Sequence, residues 1–369
     1  METIVISNND ALIAELLHKC GKLWTVLEVT GIPVLEDRHK KGVKCITSVM
    51  KRLCFPLLLH CNLLYLWYST VRVGGLNYGT IIDLVLPFLP NILWWMIYTR
   101  RVSLKMLLIR MANVSVHVKQ SYYHPYVVNI SLFVVFIYPP VLTLMKVAQN
   151  YPVLAEEVLR NVQEIIFPSL VTVMYIKLCS LLLQNLRSYK NIFHKQLDIS
   201  NSFSVVKLIK FYVEITKDIE TFENLLSAPV FILILKIFFT VSLTIMDMLS
   251  IENWMSTLML EALGYFVFIF GTLGVLSICA ANIPLEIIRI KSVLLDKISA
   301  QSHQDGMLCG EKQILFVLKR DLCVLTACNI FPLDRGFLLK AVATVIAQAV
   351  IFHQLGSSLS VSQEFASFT

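Results

Sequence analysis

Apolar residues in this chain gather into long runs separated by short polar stretches, without the strict alternation that marks a half-buried strand. Crossing a hydrocarbon core of about 30 Å takes roughly 20 such residues in helical form. Seven stretches qualify: Leu53–Val71, Thr80–Tyr98, Val127–Met145, Ile165–Leu183, Pro229–Leu249, Ala262–Ala281 and Phe337–Leu355. Helix is the expected form of each, because backbone amides left unpaired in hydrocarbon are too costly for any open alternative. Two connections are long and also read as helical. In 184–228, Phe203, Val206, Leu208, Ile209, Tyr212, Val213 and Ile215 recur at helical spacing around Lys207, Lys210, Glu214 and Lys217. Ile314–Leu318 and Leu322–Leu325 repeat the pattern around Lys319, Arg320 and Asp321. Such faces need cover. The expectation is that these helices bundle together or against neighbouring subunits, the alternative being that they lie on the inner leaflet.

Composition supports lipid as the solvent: 56% of the residues are apolar and 15% charged, where a soluble chain carries about 25% charged. Mean hydropathy is +0.70. The net charge of +7 is not gathered as a nucleic-acid-binding patch. Lysines and arginines instead fall before the first span and in the second, fourth and sixth connections, as with Arg100, Arg101, Lys105, Arg187, Lys190, Arg289 and Lys291. The odd connections and the tail hold almost none, which places the N-terminus in the cytoplasm and the C-terminus outside.

The expected fold class is therefore an all-α polytopic membrane protein of seven transmembrane helices with long cytoplasmic helical extensions. Its expected divisions are a cytoplasmic segment 1–52, six spans over 53–283 with an extension at 184–228, a cytoplasmic anchor 284–334, the seventh span at 335–358 and an extracellular tail 359–369. Met1–Cys20 has no signal-peptide core, so the first span is expected to act as its own insertion signal. The sequons at Asn113 and Asn129 are expected to stay unglycosylated, one being cytoplasmic and the other inside a span. The cysteines show no metal-ligand spacing and are expected to be reduced thiols.

Several chemistries are excluded. The chain has no Gly-rich phosphate loop, no His-Glu-x-x-His and no Gly-x-Ser-x-Gly, and no cofactor or metal is implied. Adjacent Glu156 and Glu157 read as a solvated acidic edge. The G-protein-coupled receptors have the opposite orientation, and their Asp-Arg-Tyr and Asn-Pro-x-x-Tyr signatures are missing. Charges inside spans, at Asp83, Lys177, Lys236 and Asp247, cost roughly 2.5–3.5 kcal/mol each on insertion scales. Lys177 and Lys236 lie deep enough to need a partner or an aqueous cavity. A secondary transporter would also carry such charges, but with internal repeats and helices broken at mid-membrane, and neither is legible here. In the seventh span, Lys340, Thr344, Ala347, Gln348, Ile351, Gln354 and Leu355 fall within a stripe about 120° wide at about 100° per residue. That stripe is either a packing seam or the wall of a pore.

The segment from Leu325 to Gln354 resembles the C-terminal signature of insect gustatory receptors. Thr326, Ala327, Phe331, Asp334 and Gln354 stand at that family's motif positions, with the aspartate-to-glutamine spacing reproduced. Asn329 replaces the family's glycine, Ala347-Gln348 its Thr-Tyr pair and Leu355 its phenylalanine, and His353 interrupts the apolar run before Gln354. The resemblance implies a ligand-gated, non-selective cation channel in the plasma membrane of chemosensory neurons. It implies a homotetramer or hetero-oligomer of related receptors, gated by a small-molecule tastant, with the seventh span lining the pore. It also implies a ligand pocket among the second to sixth spans. Candidates at that level are Asp83, Tyr138, Phe167, Tyr175, Asp247, Trp254 and Tyr265, although aromatics there equally form an interfacial belt. The odorant-receptor branch, which shares the architecture, is the alternative. The sugar branch usually has Glu where Ala349 stands, which favours a bitter-type ligand.

Overall fold

A computed structural model describes residues 22–33, 44–73, 78–116, most of 130–144, 154–197, 202–250, 257–305, 324–348, 350, 351 and 354. Its helices are α1 Lys22–Val29, α2 Lys44–Val73, α3 Tyr78–Val85, α4 Phe88–Val116, α5 Leu154–Asn161, α6 Phe167–Leu197, α7 Ser202–Ser250 and α8 Thr257–Asp305. The described part of 130–144 is helical as well. A hairpin of β1 Thr326–Ala327 and β2 Phe331–Pro332 leads into the last helix, α9 Phe337–Gln348.

Three helical stretches are long and apolar enough to cross a bilayer: Val158–Lys190, Tyr212–Leu249 and Met259–Asp296. They contain the fourth, fifth and sixth expected spans. α7 joins the expected extension to its span without a break. Its 49 residues reach about 73 Å, over twice the hydrocarbon thickness, so much of it must leave the membrane. The periodic face expected there is buried at Tyr212 and Ile215 and continues through Ile219 and Phe222. Polar links tie this end of the bundle together: Arg110 pairs with Asp218 at 3.6 Å and Lys190 with Glu286 at 3.7 Å. Arg100 donates to the Leu225 carbonyl at 2.7 Å and Asn185 to that of Met111 at 2.9 Å. Of the second periodic segment, Ile314–Leu318 and Leu322–Leu325, only Val324 and Leu325 are among the described residues.

α6 runs through the centre. From Phe167 to Cys179 every side chain is buried, as expected of a helix apolar on all sides. Lys177 is fully buried among them and is engaged by neighbouring groups.

Two interruptions correct the expectation of unbroken spans. The second span stops at Val85 and restarts at Phe88, with Leu86 and Pro87 in a turn. Proline has no N–H to continue a helix, and its ring opposes the preceding turn. The fourth span starts earlier than expected, at α5, and passes through a widened π turn over Val162–Ile166. Here Phe167 donates to the Val162 carbonyl five residues back. Pro168 follows directly and cannot supply the ordinary bond, which accounts for the widening.

The two interruptions meet through buried amides. Gln163, 0% exposed, donates to the Pro87 carbonyl at 2.6 Å and accepts from Asn62 at 2.6 Å. Asn91 donates to the same Pro87 carbonyl at 3.0 Å. The Pro87 carbonyl at the start of α4 thereby gains two side-chain donors inside the protein.

α1 was not expected as a structural element. It buries Leu23, Trp24 and Leu27, and ends on Gly31 at φ 79, where Ile32 donates to the Leu27 carbonyl at 3.1 Å. That is a Schellman stop, which needs the left-handed conformation glycine adopts freely. Trp94 of α4 then donates to the Thr30 carbonyl at 2.9 Å and anchors the turn.

Candidate ligand cavity and the open face of the last helix

Two places concentrate the residues singled out above: the hairpin with α9, and a cavity between α6, α7 and α8.

The hairpin turns at Cys328 and Asn329, with φ 54 and 58. Positive φ at both central residues suits the right-handed twist of a tight hairpin and favours Gly or Asn. That is why asparagine can stand where the family signature has glycine. The hairpin is held on α7 through Glu223 and Ser227, one turn apart on one helix face. The Thr326 N–H donates to Glu223 Oε1 at 2.8 Å, and the Thr326 hydroxyl donates to the same oxygen. Ser227 donates to the Thr326 carbonyl at 2.9 Å and accepts from the Cys328 N–H at 2.7 Å. Glu223 lies on α7 before the expected fifth span. Burial pushes its carboxyl above the usual carboxylate range, against the opposing pull of the Thr326 and Ser227 hydrogen bonds. Phe331 stacks on Phe231 with centroids 6.4 Å apart and touches Phe337 at 6.3 Å.

α9 packs through one narrow line: Phe337, Ala341 and Val345 are buried. Leu338 rests near Gly274 of α8, where an added Cβ would sit 3.5 Å from its Cδ2. Lys340, Thr344, Ala347, Gln348, Ile351 and Gln354 are all exposed on this chain. Leu339, at 74% exposure, and Ile346 and Val350 open on the adjoining side. Lys340 reaches Asp334 at 4.0 Å. Leu355 lies outside the described residues.

The cavity has a volume of about 30 Å³, room for about two waters. α6 and the π turn supply Glu164, Pro168, Ser169 and Thr172; α7 supplies Lys236 and Thr240; α8 supplies Tyr265, Phe268 and Thr272. The π turn sends neighbouring residues to different sites, Gln163 to Pro87 and Glu164 to the cavity wall. Lys236 is 7% exposed, and Glu164 of the same wall is the charged group acting on it. Glu164, the carboxylate of the wall, pairs with Arg160 at 3.7 Å.

Of the candidate pocket residues, Tyr265 lines the cavity. Tyr138 stands behind it, stacked on Phe268 at 4.4 Å and parallel to Tyr265 at 6.4 Å. Phe167 is buried against Phe55, and Tyr175 against Phe222, away from the cavity lining. Asp247 is exposed on α7. Asp83 belongs to α3, with its side chain outside the described residues, as is the whole of Trp254. Sequence reasoning flagged Lys236 as needing a partner or a cavity, but did not join it to Glu164, Ser169, Thr172, Phe268 or Thr272.

These elements define a class: a multi-pass helical membrane protein with a small cavity between three helices and a last helix left largely uncovered. No protein-family model matches the chain, and no curated protein matches it in sequence. Among solved structures it is similar to the insect olfactory receptor OR5 from Machilis hrabei, at 12% identity over 90% of this chain and 97% of that one, with a TM-score of 0.67. It is also similar to the same receptor in complex with eugenol, at 12% identity over 93% and 99% of the two chains, with a TM-score of 0.70. Over nearly its whole length the chain shares the fold of that solved receptor.

Proposed function

We propose that this chain is a ligand-gated cation channel of the insect chemoreceptor kind, opened by a small molecule. The observation that carries the reading is the open polar stripe of α9 on a chain with this fold. A stripe containing Lys340, Thr344, Gln348 and Gln354 is costly against lipid and needs water or a partner helix. Several copies arranged about an axis, with α9 innermost, give it both. The wider reading has seven spans, a cytoplasmic N-terminus and a homotetramer or hetero-oligomer in the plasma membrane of a chemosensory neuron. The run of basic residues through alternate connections supports the orientation, and the links among Arg110, Asp218, Lys190 and Glu286 fit an assembly end outside the bilayer. In this reading the cavity against Lys236 and Tyr265 is the ligand pocket.

Two branches compete for the ligand. The signature from Thr326 to Gln354 favours a gustatory receptor of bitter type, whereas the solved neighbours favour an odorant receptor. Expressing the chain alone and recording currents tests both. A cation current evoked without G-protein signalling supports the channel, with alkaloids or sugars pointing to taste and volatile phenols such as eugenol to odour. Ion-coupled uptake in place of current, from protein that reaches the cell surface, contradicts it.

A further inference from the structure

We infer that the outer face of α2 and α4 binds an anionic phospholipid of the inner leaflet, its phosphate on Arg101 and Lys105 and an acyl chain along Leu53, Leu57 and Val102; the orientation proposed above supplies only the choice of leaflet. The two helices run antiparallel in one register. Trp67 meets Phe88 with centroids 5.9 Å apart, and seven residues on, Trp95 donates to His60 Nε2 at 3.1 Å. A further step of seven, about 10 Å along the helices, brings Val102 level with Leu53. There the pair is open: Val102 is 65% exposed, Leu53 52% and Leu57 60%. A bare apolar strip of this kind, rimmed by polar residues, marks a membrane or partner contact.

Charge decides which lipid. α2 carries Lys44, Lys51, Arg52 and Arg72, α4 carries Arg100, Arg101, Lys105 and Arg110, and neither helix holds an Asp or Glu. Arg110 is answered by Asp218 of α7 at 3.6 Å, and Arg100 turns inward to the Leu225 carbonyl at 2.7 Å. Arg101 is held differently. Its guanidinium lies over the Tyr98 ring, 3.9 Å from the centroid, and donates to the Tyr98 carbonyl at 2.7 Å. Tyr98 in turn stacks on Trp94 at 4.8 Å and meets Trp95 edge-on at 6.1 Å. The guanidinium is thus fixed in place with most of its N–H donors unspent, and Lys105 follows one turn on, along the same side. No ion pair among the described residues involves Arg101 or Lys105. By the shared register, Lys51 and Arg52 of α2 fall at this level too. A zwitterionic headgroup would bring an ammonium into this basic cluster, whereas an anionic one brings net negative charge. Phosphate oxygens also match the planar guanidinium fork.

The test is native mass spectrometry of the purified full-length chain, titrated in detergent with dioleoyl phosphatidylserine or dioleoyl phosphatidylcholine. The tightest phosphatidylserine is expected to bind about tenfold more strongly than phosphatidylcholine. In Arg101→Gln/Lys105→Gln that preference is expected to fall to within about twofold. The control Arg187→Gln/Lys210→Gln removes the same charge from exposed positions elsewhere and is expected to keep it. Should the double variant not fold, Lys105→Gln alone takes its place, with an expected loss of about threefold. No preference in the wild type, or an equal loss in variant and control, overturns the inference. Displacement of the lipid by glycerol 3-phosphate would make this a site for soluble phosphates and overturn it as well. Binding in detergent does not depend on how the chain inserts, so failure here leaves the proposed orientation and channel untouched.

Discussion

α6 and α9 are both apolar helices, yet they meet opposite surroundings. α6 is enclosed on every side from Phe167 to Cys179 and even carries Lys177 in its interior. α9 touches its own chain along Phe337, Leu338, Ala341 and Val345 and leaves most of its remaining positions exposed. Hydropathy alone does not separate these two. The difference lies in where the polar residues fall: on α6 they are scattered among packed neighbours, whereas on α9 they align in one stripe. On the proposed reading, the aligned polar face of α9 that its own chain leaves uncovered belongs to a surface formed on assembly.

The sharpest way to break the comparison is to truncate one large apolar side chain on each helix. Phe167→Ala in α6 should cost about 3–5 kcal/mol, because large-to-small changes in a closed core lose packing and leave a cavity. Leu339→Ala on the open side of α9 should change monomer stability by no more than about 0.5 kcal/mol. Thermal unfolding of detergent-solubilised protein, followed by its elution profile, reads both. Equal losses would mean that α9 is as enclosed within the single chain as α6.

The hairpin is the hinge between the two regimes, and Glu223 holds it. Glu223→Ala strands the Thr326 N–H and should cost about 1–3 kcal/mol, the penalty for an unmatched buried donor. Glu223→Gln keeps an acceptor oxygen and should cost less than half as much. With its carboxyl pushed up by burial, Glu223 favours the protonated form in the folded chain. Its contribution is therefore fully present below the unfolded carboxylate pKa and is lost as pH rises through the higher folded value. Glu223→Gln should flatten that part of the stability profile. A profile unchanged by the substitution would remove Glu223 from the account.

The smallest effect concerns the turn. Asn329→Gly should stay within about 0.5 kcal/mol of the wild type, while Asn329→Val should lose about 1–2 kcal/mol because a branched side chain resists positive φ. Proteolysis between Val324 and Arg335 reports it. Equal behaviour of the two variants would mean that the turn is not held at φ 58.

Much of this was legible in the chain. Periodicity at Tyr212 and Ile215 placed a helix just before the fifth span, and the cost of a charge in lipid marked Lys236 as a residue needing a partner or a cavity. The break at Pro87 was not legible, because Leu86 and Pro87 sit inside an apolar run whose hydropathy does not register a turn. Nor was the π turn, which changes one hydrogen-bond step without changing composition, although Pro168 was the available signal. Gln163 and Asn62 are 101 residues apart, and nothing local announces such a pair. α1 could have been found from Leu23, Trp24 and Leu27 followed by Gly31, a short buried face with its stop, but the basic residues around it marked the stretch only as part of the cytoplasmic segment 1–52.

The central claim is that the open stripe of α9 lines an aqueous pore. Single cysteines at Thr344, Gln348 and Ile351, exposed to a water-borne cationic thiol reagent during ligand-evoked current, test it most directly against cysteines at Ala341 and Val345. The account predicts rapid modification and altered current at the three stripe positions, with the two packed positions and the parent chain unaffected. Modification at Ala341 and Val345 as fast as at Gln348, or stripe cysteines that react without changing the current, would contradict it.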